Sequence, residues 1–187
     1  MPLFASTSDL RNDEALLRKQ RFGVIIVRDG QLHEVRFRLW PKVISIPEVG
    51  FLGSWRHRHI RRDECRVYYN QPWGHASFLA LRYLESGVGT SLRSVNVALA
   101  VLDEIARLKQ TAALLCDAAS FRLSPRVMQR YGWESHKQQR WHRNYIKRFY
   151  GEYPELSPQM RMILYGEKNE QKAAVKPTPQ RVEPPTM

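Results

Sequence analysis

A chain of 187 residues, 43% hydrophobic and 26% charged, carries enough apolar material for one packed domain and is not a disordered or fibrous composition. No apolar run approaches a membrane span, and Met1-Pro2-Leu3 does not open a charged-then-apolar leader, so a cytoplasmic protein is expected, with no membrane partner. Thirty Lys and Arg against eighteen Asp and Glu leave a net charge of +12, which points to an anionic partner: nucleic acid, the ribosome or an acidic protein.

In chain order, residues 1–20 read as an N-terminal segment, partly disordered, with a short helix over 13–20. Residues 21–153 read as a single domain, and 154–187 as a largely disordered tail. Its last part is rich in Lys, Glu, Gln and Pro, with one or two helical turns near 160–164. The domain opens on a β-branched strand at 21–27. The turn pair Asp29-Gly30 follows, then alternating Val35, Phe37 and Leu39 with Arg36 and Arg38 between them, which is a hairpin with a basic outer face. Short strands are expected at 43–46, between Pro41 and Pro47, and at 49–55. Residues 56–62 are the densest basic segment, 65–69 a further strand, and 70–74 a loop. The apolar run 76–84 is read as a strand because Gly87-Val88-Gly89 ends it and a clear helix follows over 91–109. Leu92, Val95, Leu99, Leu102 and Ala106 form that helix's stripe.

Residues 112–133 read as strand, loop, short helix, strand. The run 112–116 is a buried strand, broken by residues 117–120. Ser124 caps a helix that has Pro125 at its first position, and Gly132 is a left-handed stop before Trp133. This order, closed by Arg-Tyr-Gly-Trp, resembles the C-terminal half of the GNAT N-acetyltransferase superfamily over roughly residues 76–150. The resemblance implies an α/β (α+β) fold: a mixed, largely antiparallel twisted sheet with helices on both faces. It also implies acetyl-CoA, or another acyl-CoA, as cofactor, and transfer of the acyl group to an amine whose identity the sequence leaves open.

Two elements carry that reading. Gly87, Val88, Gly89, Thr90 and Ser91 stand between strand and helix, where glycines let backbone approach a phosphate and the first helical amides are free donors. In the family a Gln or Arg precedes such a Gly-x-Gly loop by three residues. Leu84 stands there in this chain, and Arg82 is the nearby cation that compensates. The family's acid is often a Tyr four residues before the glycine of the Gly-aromatic pair. Here that place holds Met128, which cannot donate, and Tyr131 lies three residues on. Asp117 and Ser120, at the strand end, complete the catalytic candidates. Metal ligation finds no spacing: His57, His59, Cys65 and His75 do not form two ligand pairs. Cys65 and Cys116 are expected as buried free thiols.

The alternative is a non-catalytic basic module that binds RNA or DNA through Arg56, Arg58, Arg61 and Arg62. A second basic stretch at 140–148 interleaves with Trp141, Tyr145 and Phe149. These aromatics are expected in the core, with the cations reaching outward.

Overall fold

The structure, a computed structural model, describes residues 5–40, 62–118, 125–137 and 143–166. The expected strands at 43–46 and 49–55, the basic residues Arg56, Arg58 and Arg61, and the candidate Ser120 lie outside these residues.

The described strands are β1 (Ser6–Thr7), β2 (Phe22–Arg28), β3 (Gln31–Arg38), β4 (Glu64–Asn70), β5 (Phe78–Ser86), β6 (Ala113–Ala118), β7 (Glu134–Ser135) and β8 (Arg143–Arg148). They form one sheet in the order β1-β3-β2-β4-β5-β6-β8-β7. Every pairing is antiparallel except β5 with β6. This is the mixed, largely antiparallel sheet expected. The one parallel pair needs a crossover, and α2 (Leu92–Leu108) supplies it. The hairpin β2–β3 turns at Asp29 and Gly30, both with positive φ, as the tight turn matched to strand twist requires.

α2 buries Val97, Ala98, Val101, Leu102, Ile105 and Ala106 against the sheet, mainly on β2 and β4. α1 (Glu14–Lys19), α3 (Pro125–Arg130) and α4 (Pro158–Tyr165) add Leu17, Met128 and Leu164 to the same core. The described helices therefore share one core. The opposite sheet face carries Val24, Ile26 and Tyr68, with Tyr83 packed against them. Residues 154–166, assigned to the tail on sequence, include α4. Ser157 caps it, Gly166 ends it in the left-handed region, and Leu164 enters the core.

One close approach in the core has a measurable consequence. Gly23 lies under the Tyr69 ring, and a Cβ there would come within 2.6 Å of the phenol. The Tyr69 hydroxyl is fully buried, with no hydrogen-bond partner among the described residues. A buried polar group without a partner costs free energy that an apolar isostere does not. Tyr69→Phe is expected to stabilise the protein by about 1 kcal/mol, read as a higher urea midpoint at unchanged slope. Gly23→Val, which drives a side chain into the same ring, is expected to lower the midpoint.

Candidate active site

The parallel strands β5 and β6 are joined over only part of their length. Phe78–Leu81 pair with Ala113–Cys116, and there the ladder stops. β5 runs on through residues 82–86 bonded only to β4, while β6 runs on through Asp117 and Ala118 bonded only to β8. The cause is visible in the register. Between Tyr68↔Tyr83 and Tyr69↔Leu81 the β4–β5 ladder skips Arg82, so Arg82 is the extra residue of a bulge. A bulge bends and twists the strand that carries it. The bend falls where β5 leaves β6, and the two limbs open into a fork at their C-terminal ends. Ligands of open α/β sheets bind in such crevices, beyond the carboxyl ends of diverging parallel strands.

Arg82 is exposed at this fork. Its charge is close enough to act on the Cys116 thiol across the gap. Asp117 is the first β6 residue past the last β5 pair. The sequence placed it in a loop, but pairing with Asn144 of β8 keeps it in the strand after β5 has turned away. It is exposed, and alternation puts it on the face opposite Cys116.

The glycine turn follows β5 and leads into α2 at the mouth of the fork. Of the amides of Val88, Gly89, Thr90 and Ser91, the donors expected from sequence, those of Thr90 and Ser91 are taken within the chain, as is that of Gly87. The Gly87 N–H donates to Thr90 Oγ1 (2.8 Å), and the Thr90 N–H donates to the Gly87 carbonyl (3.1 Å). The Ser91 N–H donates to Asp63 Oδ1 (2.8 Å). The Ser91 hydroxyl also donates to Asp63 Oδ2 (2.7 Å) while it caps the Ser94 amide. Asp63 is thus a built-in anion at the N-terminus of α2. Donation from Ser91 holds its carboxyl below the usual range, against the upward push of partial burial. Val88 and Gly89 keep amides with no partner among the described residues, as do Leu92 and Arg93 at the first two helical positions. The spare donors therefore fall in two pairs, Val88 with Gly89 and Leu92 with Arg93, on either side of the engaged Thr90 and Ser91.

Tyr131 stands beside the early turns of α2. Its hydroxyl donates to Asn96 Oδ1 (2.7 Å), which uses the proton an acid would deliver. Met128, in the place the resemblance gives to that acid, is buried in the core. Arg62 is described and lies just before β4, so of the four arginines in the basic segment it alone can be placed.

The sequence reading missed Glu85. It lies on the limb of the fork past the bulge and is only 2% exposed. Tyr68 donates to it at 3.5 Å, and Arg66 stands 3.8 Å away. Arg66 also binds Glu64, which Arg28 holds from its other side at 2.7 Å. Beside the fork the face therefore offers a buried carboxylate among tyrosines. Cys116, the last β6 residue joined to β5, is no nucleophile: burial pushes its thiol up to about 12, and burial does the same for Cys65.

The sign of the resulting pH dependence follows. Both thiols keep their protons in the folded protein above the ordinary value of 9.0, so their stabilisation is complete below pH 9 and is lost as pH climbs toward 12. Tyr165, raised to about 12, acts in the same direction. Lys109, lowered from 10.5 to about 8, acts oppositely, and its cost is relieved between pH 8 and 10.5. Urea midpoints are expected to hold or rise slightly from pH 8 to 9 and then to fall steeply by pH 11. Thiol reagents at pH 8 are expected to label neither cysteine until the protein unfolds.

A larger cleft, of about 420 Å³, lies away from the fork between α1, the end of α2 and α4. Its charged floor is internally paired: Arg107 grips Glu104 at 3.0 Å through Nε, and the Tyr165 hydroxyl donates to the same carboxylate.

No protein-family model matches the chain, and no curated protein matches it by sequence. Among solved structures it is similar to a crystal structure of nourseothricin acetyltransferase. The identity is 11%, 77% of this chain and 96% of that chain are covered, and the TM-score is 0.34. That likeness is too loose to carry an argument about activity. No helix among the described residues is long and apolar enough to cross a membrane.

Proposed function

We propose that this protein is a GNAT-like N-acyltransferase that takes acetyl-CoA, or a related acyl-CoA, in the fork between β5 and β6. The observation that carries the reading is the early end of the parallel ladder at Leu81 and Cys116, with the start of α2 at the mouth of the gap. The residues fit such a cofactor in two ways. The β5 edge over residues 82–86 has backbone groups that no β6 residue covers, suited to an extended, amide-bearing arm. The partnerless amides of Val88, Gly89, Leu92 and Arg93, with Arg82, suit a pyrophosphate. When bound, the cofactor supplies an activated acyl carbon.

The chain's own residues would do the rest. The stretch of β5 that β6 does not cover orients the acyl carbonyl, and Glu85, embedded between Tyr68 and Arg66, receives the proton an attacking amine must lose. Asp117, exposed at the other limb, attracts a cationic amine. Tyr131 acts as a positioning residue that ties α3 to α2 through Asn96. Ser120 keeps the role the sequence reading gave it, as a polar group near the thioester. Burial keeps the thiol of Cys116 protonated, so it does not take the acyl group.

Calorimetric titration with acetyl-CoA at low salt tests the reading. Saturable binding at one site, competed by CoA, is expected; no heat at millimolar cofactor would end the proposal.

A further inference from the structure

At the opposite end of α2 lies a second groove, of about 300 Å³. It is lined by Arg18, Lys19, Arg21, Gln71, Lys109 and Gln110, together with Ala76 and Leu108. It contains four cations and no carboxylate. Glu14 holds Arg18 at 2.6 Å. Lys19, Arg21 and Lys109 meet no carboxylate at ion-pairing distance among the described residues. The bland explanation is that Lys19 and Lys109 serve the helix C-termini, and Lys109 Nζ does donate to the Arg18 carbonyl (3.0 Å) and to Gln71 Oε1 (3.1 Å). That accounts for two neutral acceptors and no counter-charge. It does not account for Arg21, which belongs to no helix. Arg21 donates to the Pro72 carbonyl (3.2 Å) and lies over the Trp73 ring, 4.4 Å from its centroid. Phe22 meets the same indole edge-on. Trp73 is nonetheless 72% exposed, so a rigidly held aromatic face is left open to solvent beside uncompensated positive charge.

We infer that this groove, with Trp73 beside it over Arg21, is a binding site for single-stranded nucleic acid, with a base stacked on Trp73 and the adjoining phosphates among Lys19, Arg21 and Lys109. Stacking on an aromatic and phosphate neutralisation are the two components of such sites, and here they are one guanidinium apart. The net charge of +12 agrees with a polyanionic partner. Lys109, depressed to about 8 by burial and by Arg21, shows that positive charge at this spot lacks its counterpart. α2 spans roughly 25 Å, so this groove is remote from the fork, and the inference stands whether or not acyl transfer occurs.

The test uses fluorescence anisotropy of a labelled twelve-nucleotide oligo(U) with the full chain at 50 mM salt. Binding is expected, with affinity falling as salt rises at a logarithmic slope of about −2 to −3, for three or four phosphates contacted. Trp73→Ala is expected to weaken binding about fivefold or more at unchanged slope. Lys19→Glu with Arg21→Glu is expected to weaken it more than tenfold and to flatten the slope. Both changes are at exposed or half-exposed side chains, and unchanged thermal unfolding confirms that the variants fold. Binding takes up protons near pH 8, because a phosphate restores the charge of Lys109, which among the described residues lines this groove with the cations Arg18, Lys19 and Arg21 and no carboxylate. No binding at 50 mM salt, equal binding by all variants, or competition by UMP or inorganic phosphate at concentrations as low as the oligonucleotide's own would each overturn the inference.

Discussion

Arg82→Glu is expected to weaken acetyl-CoA binding at least tenfold, about 1.4 kcal/mol, without shifting the urea midpoint. The argument is geometric before it is electrostatic. Arg82 is the residue the β4–β5 ladder skips, so its backbone position is set by the bulge and its side chain is committed to no partner strand. It is exposed at the place where β5 leaves β6. A cation there meets cofactor phosphates through charge-assisted hydrogen bonds, and an anion there repels them. Because the contact is solvent-exposed, the loss should shrink as salt is raised. Arg161→Glu changes the net charge equally but sits on α4, at the far end of the core, and should leave binding unchanged. Equal weakening by both variants would mean a diffuse charge effect, with no phosphate at the bulge. Calorimetry at two salt concentrations separates these outcomes.

What was readable in the sequence was whatever local patterning decides. Asp29-Gly30 demanded a turn with positive φ, and the structure has one. The stripe from Leu92 to Ala106 ran the right length for α2, though Leu92 is exposed and the buried face is Val97, Ala98, Val101, Leu102, Ile105 and Ala106, and Gly132 ended the turn after α3 at positive φ. Tyr145 and Phe149 are core residues, as their spacing suggested.

The site was legible only as a location. That β5 and β6 part after Leu81 depends on β6 preferring β8 beyond Cys116, and no residue of β6 announces that choice. A bulge of one arginine leaves no mark on the apolar pattern of 76–84. The anion on Ser91 comes from Asp63, 28 residues back, and the partner of Tyr131 from Asn96, 35 residues back. Long-range hydrogen bonds of this kind decide which amides and hydroxyls are spare, and they appear only once the chain is folded. Glu85 was given no catalytic role, because nothing local in the sequence marks a carboxylate before a glycine turn as buried. The burial that gives it chemical interest comes from Tyr68 on the neighbouring strand.

The fork also has to be held open, and the second large effect concerns what holds it. α2 rests on β2 and β4, on one limb side, and reaches the other through a buried ion pair: Lys147 Nζ on β8 lies 2.7 Å from Asp103 Oδ2. The two side chains are only 11% and 18% exposed. The lysine stem runs under Gly132, whose missing Cβ would sit 3.2 Å from Lys147 Cε, so the turn after α3 is packed onto the same pair. Burial raises the Asp103 carboxyl, and Lys147 opposes that rise. Lys147→Met removes the opposition and leaves a desolvated carboxylate. It is expected to cost about 3 kcal/mol at pH 7. With its folded pKa raised further above 3.8, Asp103 in that variant favours folding when protonated and opposes it when ionised. The deficit should therefore shrink as pH is lowered toward 5. Asp103→Leu with Lys147→Met removes both charges and should recover most of the loss, because desolvating a pair cancels much of its attraction. Urea midpoints of the wild type, Lys147→Met, Asp103→Leu and the double variant at pH 5 and 7 close the cycle. If the double variant is as unstable as Lys147→Met alone, the cost is the lysine stem's packing under Gly132, and the charges contribute nothing. If instead the double variant regains stability but loses acetyl-CoA affinity, the pair's role is to set the distance between the two limbs of the sheet.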